Sequence, residues 1–100
     1  MREIEKEMLR AINERTNWRK DNTRVEPLTR YGIARVWLHE NHIADCFTNC
    51  DGEIRAFANR RTLAEWPTPT TKSRLRALGV NVTQKAGVVA IDGETVCSIN

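Results

Sequence analysis

The sequence predicts a single α+β domain over residues 1–100, with an N-terminal helix, an antiparallel β-meander, a second helix and a C-terminal β-hairpin. Three observations indicate this fold class. The first residues are amphipathic, the middle of the chain contains two strand–turn–strand patterns, and a capped helical segment follows them. One hundred residues, of which 40% are hydrophobic, suffice for one core but not for several domains.

The first predicted element is an amphipathic helix over residues 2–15. Charged side chains occupy one face, and apolar side chains recur on the other at helical spacing, at Ile4, Met8, Ala11 and Ile12. Trp18 then belongs to a predicted charged loop that continues through residues 19–22. Residues 23–28 are predicted to form a short strand, which Pro27 restricts to a sheet edge or a strand end because proline lacks an N–H donor.

The meander is predicted from two turn signals, of which the first joins residues 33–38 to residues 42–48. The intervening Glu40-Asn41 suits a two-residue turn, because asparagine tolerates positive φ. The resulting register predicts one buried face with Asp45 as its discordant member, and the apolar side chains on it are Ala34, Val36, Leu38, Ile43 and Phe47. The opposite face carries a mixed set, namely Arg35, Trp37, His39, His42 and Cys46.

The second turn signal, Asp51-Gly52, is stronger and pairs the second strand with residues 53–58. This pairing adds Ile54 and Ala56 to the predicted buried face that already holds Phe47. Two independent turn signals therefore predict one consistent core face for a three-stranded meander. Residues 59–67 are predicted to follow as a loop.

The second helix is bounded by capping residues. Thr68 suits the N-cap, Pro69 suits the first helical position, and Gly79 suits a left-handed position after the last turn. The inner stripe is predicted to comprise Thr71, Leu75 and Leu78. The outward side chains are then Lys72, Ser73, Arg74 and Arg76.

The C-terminal strands are predicted from turn residues. Residues 80–84 and 88–91 favour β-strands and flank Lys85-Ala86-Gly87. Asp92-Gly93 then starts a last turn before a predicted strand at residues 95–99.

Targeting signals are absent from the sequence pattern. The chain contains no run of eighteen apolar residues, and residues 1–7 alternate in charge, so we expect neither a membrane span nor a secretory signal. Three cysteines are an odd count in a chain without an export signal, which argues against a disulfide framework. The predicted location is the cytosol.

Histidine and cysteine residues suggest a zinc hypothesis, through the series His39, His42, Cys46 and Cys50. In the predicted hairpin the histidines lie at the tip, and Cys46 lies about 13 Å further along its strand. Zinc needs all its ligands within about 2.3 Å, and a catalytic thiol needs an adjacent base. Cys97 has no visible partner. We therefore expect no metal, no cofactor and no enzymatic activity, with a zinc module as the least favoured alternative.

The positive charge of the chain is concentrated in one segment. The net charge is +3, and residues 53–76 carry six basic residues against two acidic ones. This segment includes the first turn of the second helix, where unsatisfied N–H groups attract anions. We predict that a basic surface there binds nucleic acid or another partner, and its residues are Arg60, Arg61, Thr70, Thr71, Lys72, Arg74 and Arg76.

Aromatic residues are candidates for stacking on unpaired bases, and the predicted ones are Tyr31, Trp37 and Trp66. A second interpretation of the same segment stays open. The basic residues then form an ordinary solvated helix face, and Trp66 fills the core, because basic patches are common and have low specificity.

Three blocks of the sequence resemble small hypothetical proteins encoded by tailed bacteriophages, and they lie at residues 22–25, 36–44 and 66–78. Those proteins often have glycine in place of Glu40 and asparagine in place of Arg76. The two departures make the turn less favourable and the second helix more basic. The resemblance implies a phage origin and the host cytoplasm as location, but it implies no mechanism.

These observations lead to two main function hypotheses. The preferred hypothesis is a non-enzymatic phage accessory protein that binds a host macromolecule, with nucleic acid as the ligand of the basic helix surface. The alternative is a protein-binding inhibitor of a host defence or transcription complex, of the anti-CRISPR or anti-restriction type. Such an inhibitor would bind its target without nucleic acid.

Overall fold

A computed structural model describes residues 1–49 and 51–96 of the chain. The described residues form three α-helices, which are α1 (Glu3–Glu14), α2 (Arg60–Glu65) and α3 (Pro69–Ala77). They also form eight strands, which are β1 (Trp18–Lys20), β2 (Thr23–Leu28), β3 (Ile33–Leu38), β4 (Asn41–Thr48), β5 (Ile54–Ala58), β6 (Val82–Lys85), β7 (Val88–Ile91) and β8 (Glu94–Thr95). The predicted α+β class is confirmed. None of the described helices is long and apolar enough to cross a membrane.

The larger sheet is a five-stranded antiparallel meander in the order β1-β2-β3-β4-β5. The predicted first helix is confirmed, and α1 packs its apolar stripe against this sheet. The prediction of a loop at Trp18 is wrong, because β1 pairs with β2 across a turn in which Asp21 adopts a left-handed φ of 51°. Trp18, the first residue of β1, lies opposite Val25, so Pro27 lies beyond β1, and among the described residues no strand on that side needs the missing N–H.

The hairpin of β3 and β4 differs from the prediction by one residue. Its turn is His39-Glu40, with φ values of 51° and 63°, and not Glu40-Asn41. Val36 pairs with Ala44 while Trp37 pairs with His42, so Ile43 is the extra residue of a β-bulge. The bulge shifts the alternation of side chains along the rest of β4. Asp45 therefore points outward and Cys46 inward, and the discordance in the predicted face disappears.

The shift also moves Phe47 out of the predicted core. Phe47 pairs with Ile33 and is 39% exposed, so its assignment to the buried face is wrong. Ile54 and Ala56 on β5 do pack against the core, as predicted, beside Cys46 and not beside Phe47. The predicted pairing of β4 with β5 is confirmed, but its register differs by one residue, because Thr48 lies opposite Ile54 where a two-residue Asp51-Gly52 turn would place Asn49.

The predicted loop at residues 59–67 contains a short helix, α2. The Asn59 side chain caps it by accepting a hydrogen bond from the Thr62 N–H at 3.1 Å. Leu63 is 1% exposed and anchors this helix in the core. The prediction missed α2 because a six-residue helix depends more on tertiary burial than on its own propensity.

The second predicted helix is confirmed as α3. The Thr68 hydroxyl accepts a hydrogen bond from the Thr71 N–H at 3.1 Å, Pro69 is the first helical residue, and Gly79 follows the helix with a φ of 95°. The C-terminal strands form a three-stranded sheet in the order β6-β7-β8. The predicted last strand at residues 95–99 extends past the described part of the chain, which ends at residue 96.

Candidate functional site

The predicted basic surface loses Arg74, which is only 3% exposed. Its Nη1 donates to Glu5 Oε2 at 2.7 Å, and its Nε donates to Thr23 Oγ1 at 3.1 Å. The prediction that Arg74 points outward is therefore wrong, because α3 turns this side chain toward α1. Thr71 is also buried, with its hydroxyl bonded to that of Thr68. Neither predicted residue is accessible to a macromolecule.

The partner of Arg74 is a buried carboxylate. Burial alone would raise the pKa of Glu5, but hydrogen bonds from Ser73 and Arg74 outweigh it and hold that pKa below its ordinary value. The pair is therefore charged and stabilises the contact between α1 and α3. One signal in the sequence points to it, since Glu5 shares helical spacing with the core residues Met8 and Ile12.

The remaining residues of the predicted basic surface lie at least partly exposed, and they are Arg60, Arg61, Thr70, Lys72 and Arg76. The first two form ion pairs with glutamates, at nitrogen–oxygen distances of 3.4 and 3.3 Å. The last two donate to neutral acceptors, a glutamine side chain and a backbone carbonyl. Neither has a carboxylate partner within the described residues, so only Lys72 and Arg76 keep uncompensated charge.

The face of the five-stranded sheet that points away from the helices carries a different set of functional side chains, and we call it the outer face. Side chains alternate along a strand, so the strand register assigns every second residue of β1 to β5 to this face. The polar and aromatic members are Arg19, Arg24, Glu26, Arg35, Trp37, His42, Asp45, Phe47, Arg55 and Phe57. Most of them are exposed or half-buried while the inner face holds the core.

Two phenylalanines and an arginine lie together on the outer face, and we call them the aromatic–arginine cluster (Phe47, Arg55 and Phe57). The two rings meet edge to face, with centroids 5.6 Å apart and an interplanar angle of 84°. Phe57 is 60% exposed, and Arg55 lies directly opposite Phe47 on β5. Among the described residues no carboxylate pairs with Arg55, so its guanidinium is free to meet a ligand.

The other end of the outer face is a network around Trp37. The Arg24 guanidinium lies 4.8 Å from the Trp37 ring centroid, and the His42 ring lies 5.2 Å from it. Asp45 accepts from His42 Nε2 at 2.7 Å and lies 3.8 Å from Arg35 Nε. Ion pairs thus offset much of the positive charge here, unlike in the aromatic–arginine cluster.

The predicted stacking residues occupy three different environments. Trp66 is 52% exposed, so its assignment to the core is wrong, and it lines an apolar pocket of about 390 Å³ on the helix side of the sheet. Tyr31 is 67% exposed, whereas Trp37 is half-buried. Sequence reasoning missed Phe47 and Phe57 as exposed aromatic residues. The placement of the charged Asp45 on the predicted buried face was the signal that the assumed register was wrong.

The residues of the zinc hypothesis are separated by the sheet. His42 lies on the outer face and Cys46 on the inner face, where it is 1% exposed. Burial, with a smaller contribution from Asp45, raises the pKa of the Cys46 thiol to about 12, so it is a poor ligand and a poor nucleophile. Cys50 and Cys97 lie outside the described residues. Within residues 1–49 and 51–96, no group of three or more metal-ligating side chains comes together.

Comparison with protein families gives a match over the whole chain. The model of the family described as Kyanoviridae Gp96 protein matches residues 1–100. No curated protein and no solved structure matches the chain. Kyanoviridae are tailed phages of cyanobacteria, which confirms the predicted resemblance to small proteins of tailed phages. The chain belongs to the Kyanoviridae Gp96 protein family.

Proposed function

We propose that this phage protein is a non-enzymatic accessory factor that binds single-stranded nucleic acid in the host cytoplasm, through the outer face of its five-stranded sheet. The observation that carries this proposal is the aromatic–arginine cluster. Within the described residues, two exposed rings and a guanidinium without a carboxylate partner lie side by side on a sheet face that the helices do not cover.

The chemistry of the cluster suits unpaired bases. Bases stack on aromatic faces regardless of their sequence, and an arginine beside the ring attracts the phosphate backbone. Phe47 and Phe57 provide the ring faces, and Arg55 provides the charge. A duplex hides its base faces, so we expect single strands to bind more tightly than a duplex of the same length.

This proposal keeps the ligand predicted from the sequence and moves the binding surface. The basic helix surface retains two accessible uncompensated cations, Lys72 and Arg76, because Arg74 is buried and Arg60 and Arg61 are ion-paired. Among the described residues, no aromatic side chain lines the groove that Lys72 and Arg76 share. The outer face combines both kinds of group.

A binding titration tests the proposal. Fluorescence anisotropy of labelled single-stranded DNA and RNA, and of matched duplexes, is measured at low salt. Phe57→Ala should weaken single-strand binding about 5- to 150-fold, the range expected for the loss of one stacked base. Arg55→Ala should weaken it and lower the slope of log affinity against log salt by about one.

Trp66→Ala is the matched control, since it removes an aromatic side chain of comparable exposure, 52% against 60% for Phe57, from the helix side of the sheet. It should leave the affinity unchanged. If no single strand binds at low salt, or if Trp66→Ala weakens binding more than Phe57→Ala does, the proposal fails.

A protein-binding inhibitor of a host defence or transcription complex is the second candidate, and one observation favours it. The carboxylates of Glu26, Asp45 and the neighbouring Glu40 offset much of the positive charge of the outer face, while aromatic and arginine side chains are typical hot spots of protein interfaces. A pull-down from cyanobacterial lysate, with and without nuclease, separates the two candidates. A partner that survives nuclease and is lost with Phe57→Ala favours the inhibitor.

A further inference from the structure

A groove of about 510 Å³ lies on the helix side of the sheet, between the N-terminal end of α1, including the two residues that precede it, and the length of α3. It is separate from the outer face, and the inference drawn from it is independent of the proposed function. Its walls combine cationic, polar and apolar groups, contributed by Met1, Arg2, Glu5, Pro69, Lys72, Ser73, Arg76 and Ala77. Pockets of this volume accommodate small molecules.

The charge of the groove is positive. Arg2, Lys72 and Arg76 line it, and none of their side chains has a carboxylate partner within the described residues. The carboxylate in the wall, that of Glu5, accepts through Oε2 from Arg74 at 2.7 Å and from the Ser73 hydroxyl at 2.6 Å, and through Oε1 from the Arg2 backbone N–H at 3.2 Å. It therefore offsets the buried arginine and not the cations of the groove.

Local contacts hold two of the cations in place. Arg76 Nε donates to the Val82 carbonyl at 2.9 Å, which leaves its terminal Nη groups to meet a ligand. Lys72 donates to the Gln84 side chain, a neutral acceptor that leaves the ammonium charge uncompensated. Lys72 also lies near the positive end of the α3 dipole, where a cation is locally unfavourable. An anion in the groove would relieve this repulsion.

We propose that the groove is a binding site for a small phosphate-bearing anion of nucleotide size. Guanidinium and ammonium groups are the donors that phosphate oxygens prefer, and charge-assisted bonds to them are the stronger class of hydrogen bond. The volume exceeds what a single phosphate fills, and the apolar walls formed by Met1, Pro69 and Ala77 give the rest of the ligand a contact surface.

Calorimetric titration of the full chain with ADP, pyrophosphate and adenosine tests the site. ADP and pyrophosphate should bind, and adenosine should not. Lys72→Gln and Arg2→Gln should each weaken ADP binding about tenfold or more, as expected for the loss of a charge-assisted hydrogen bond. Arg10→Gln is the control, because it removes the same charge from an exposed position of α1 outside the groove.

Several results would overturn the proposal. The proposal fails if neither ADP nor pyrophosphate binds, or if adenosine binds as tightly as ADP. It also fails if Arg10→Gln weakens ADP binding as much as Lys72→Gln and Arg2→Gln do. The backbone phosphates of a nucleic acid could bind the same cations in place of a small phosphate-bearing molecule. If a single-stranded oligonucleotide binds in a Lys72-dependent manner and ADP does not, the small-ligand proposal is wrong.

Phe57→Ala, the variant that tests the outer face, separates the two proposals. Phe57→Ala should leave ADP binding unchanged, so the failure of one proposal is distinguishable from the failure of the other. Circular dichroism of each variant checks that the fold is intact, and amide chemical shifts of Ser73 and Ala77 report whether a ligand occupies the groove.

Discussion

Replacing Arg74 by methionine is expected to destabilise this protein far more than the loss of a surface cation. Methionine fills a similar volume but leaves the Glu5 carboxylate buried without its ion-pair partner, 2.7 Å away. Both side chains are at least 96% buried, and breaking such a pair from one side costs about 3–5 kcal/mol. That is a large part of the roughly 5–15 kcal/mol that keeps a domain folded.

Urea unfolding followed by circular dichroism measures the cost, and two variants make the comparison sharp. Arg61→Met removes an exposed arginine whose pair with Glu65 contributes only about 0.3–0.5 kcal/mol. The double variant Glu5→Met with Arg74→Met removes both charges at once. It should be more stable than the Arg74→Met single variant, because no buried charge is left unpaired.

Two results would contradict a stabilising ion pair between Glu5 and Arg74. If Arg74→Met costs no more than Arg61→Met, then Arg74 does not stabilise the contact between α1 and α3. If the double variant is less stable than Arg74→Met alone, the cost comes from lost packing and not from an unpaired carboxylate.

Three further predictions concern stability and reactivity. The pKa of Glu5 is lower in the folded state than its ordinary value of 4.5. The ionised carboxylate therefore contributes to folding stability above pH 4.5, and this contribution is lost as the pH falls through the folded pKa. The difference in the free energy of unfolding between the wild type and Glu5→Gln, measured by urea unfolding, should therefore decrease at low pH. A difference that does not change with pH would contradict the lowered pKa of Glu5. Cys46 should resist thiol reagents in a variant with Cys50→Ser and Cys97→Ser until denaturant unfolds the chain, and fast labelling of the native protein would disprove its burial. Asn59→Ala should lower the melting temperature by about 4–8 °C through the loss of a cap of about 1 kcal/mol, whereas Asn59→Asp keeps the acceptor and should change it less.

Elements with strong local signals were predictable from the sequence. The apolar residues of α1 recur every 3.6 residues and so lie on one face of the helix, and α3 has a cap at each end. The glycine-containing turns of the C-terminal sheet likewise lie where the sequence predicted turns, and Gly87 and Gly93 adopt positive φ in them. In each case the residues that decide the structure lie within a few positions of one another.

Features that depend on distant residues were not predictable in the same way. The Arg74 side chain points inward because it pairs with a carboxylate sixty-nine residues earlier in the chain. A count of charges over residues 53–76 cannot show that partner. The helix α2 depends on the burial of Leu63 against elements on both sides of it in sequence. The candidate site on α3 was therefore overestimated, since two of its residues stabilise the fold.

One residue of β4 decides both what the core contains and what the outer face presents. With Ile43 in a bulge, Ile43 and Ala44 are both buried, and every later side chain of β4 changes face relative to a regular strand. Cys46 then enters the core, and Phe47 emerges beside Phe57. A regular hairpin would bury Phe47 and expose the thiol, and it would leave the sheet without its exposed pair of rings. The bulge is thus the structural cause of the surface that we propose binds nucleic acid.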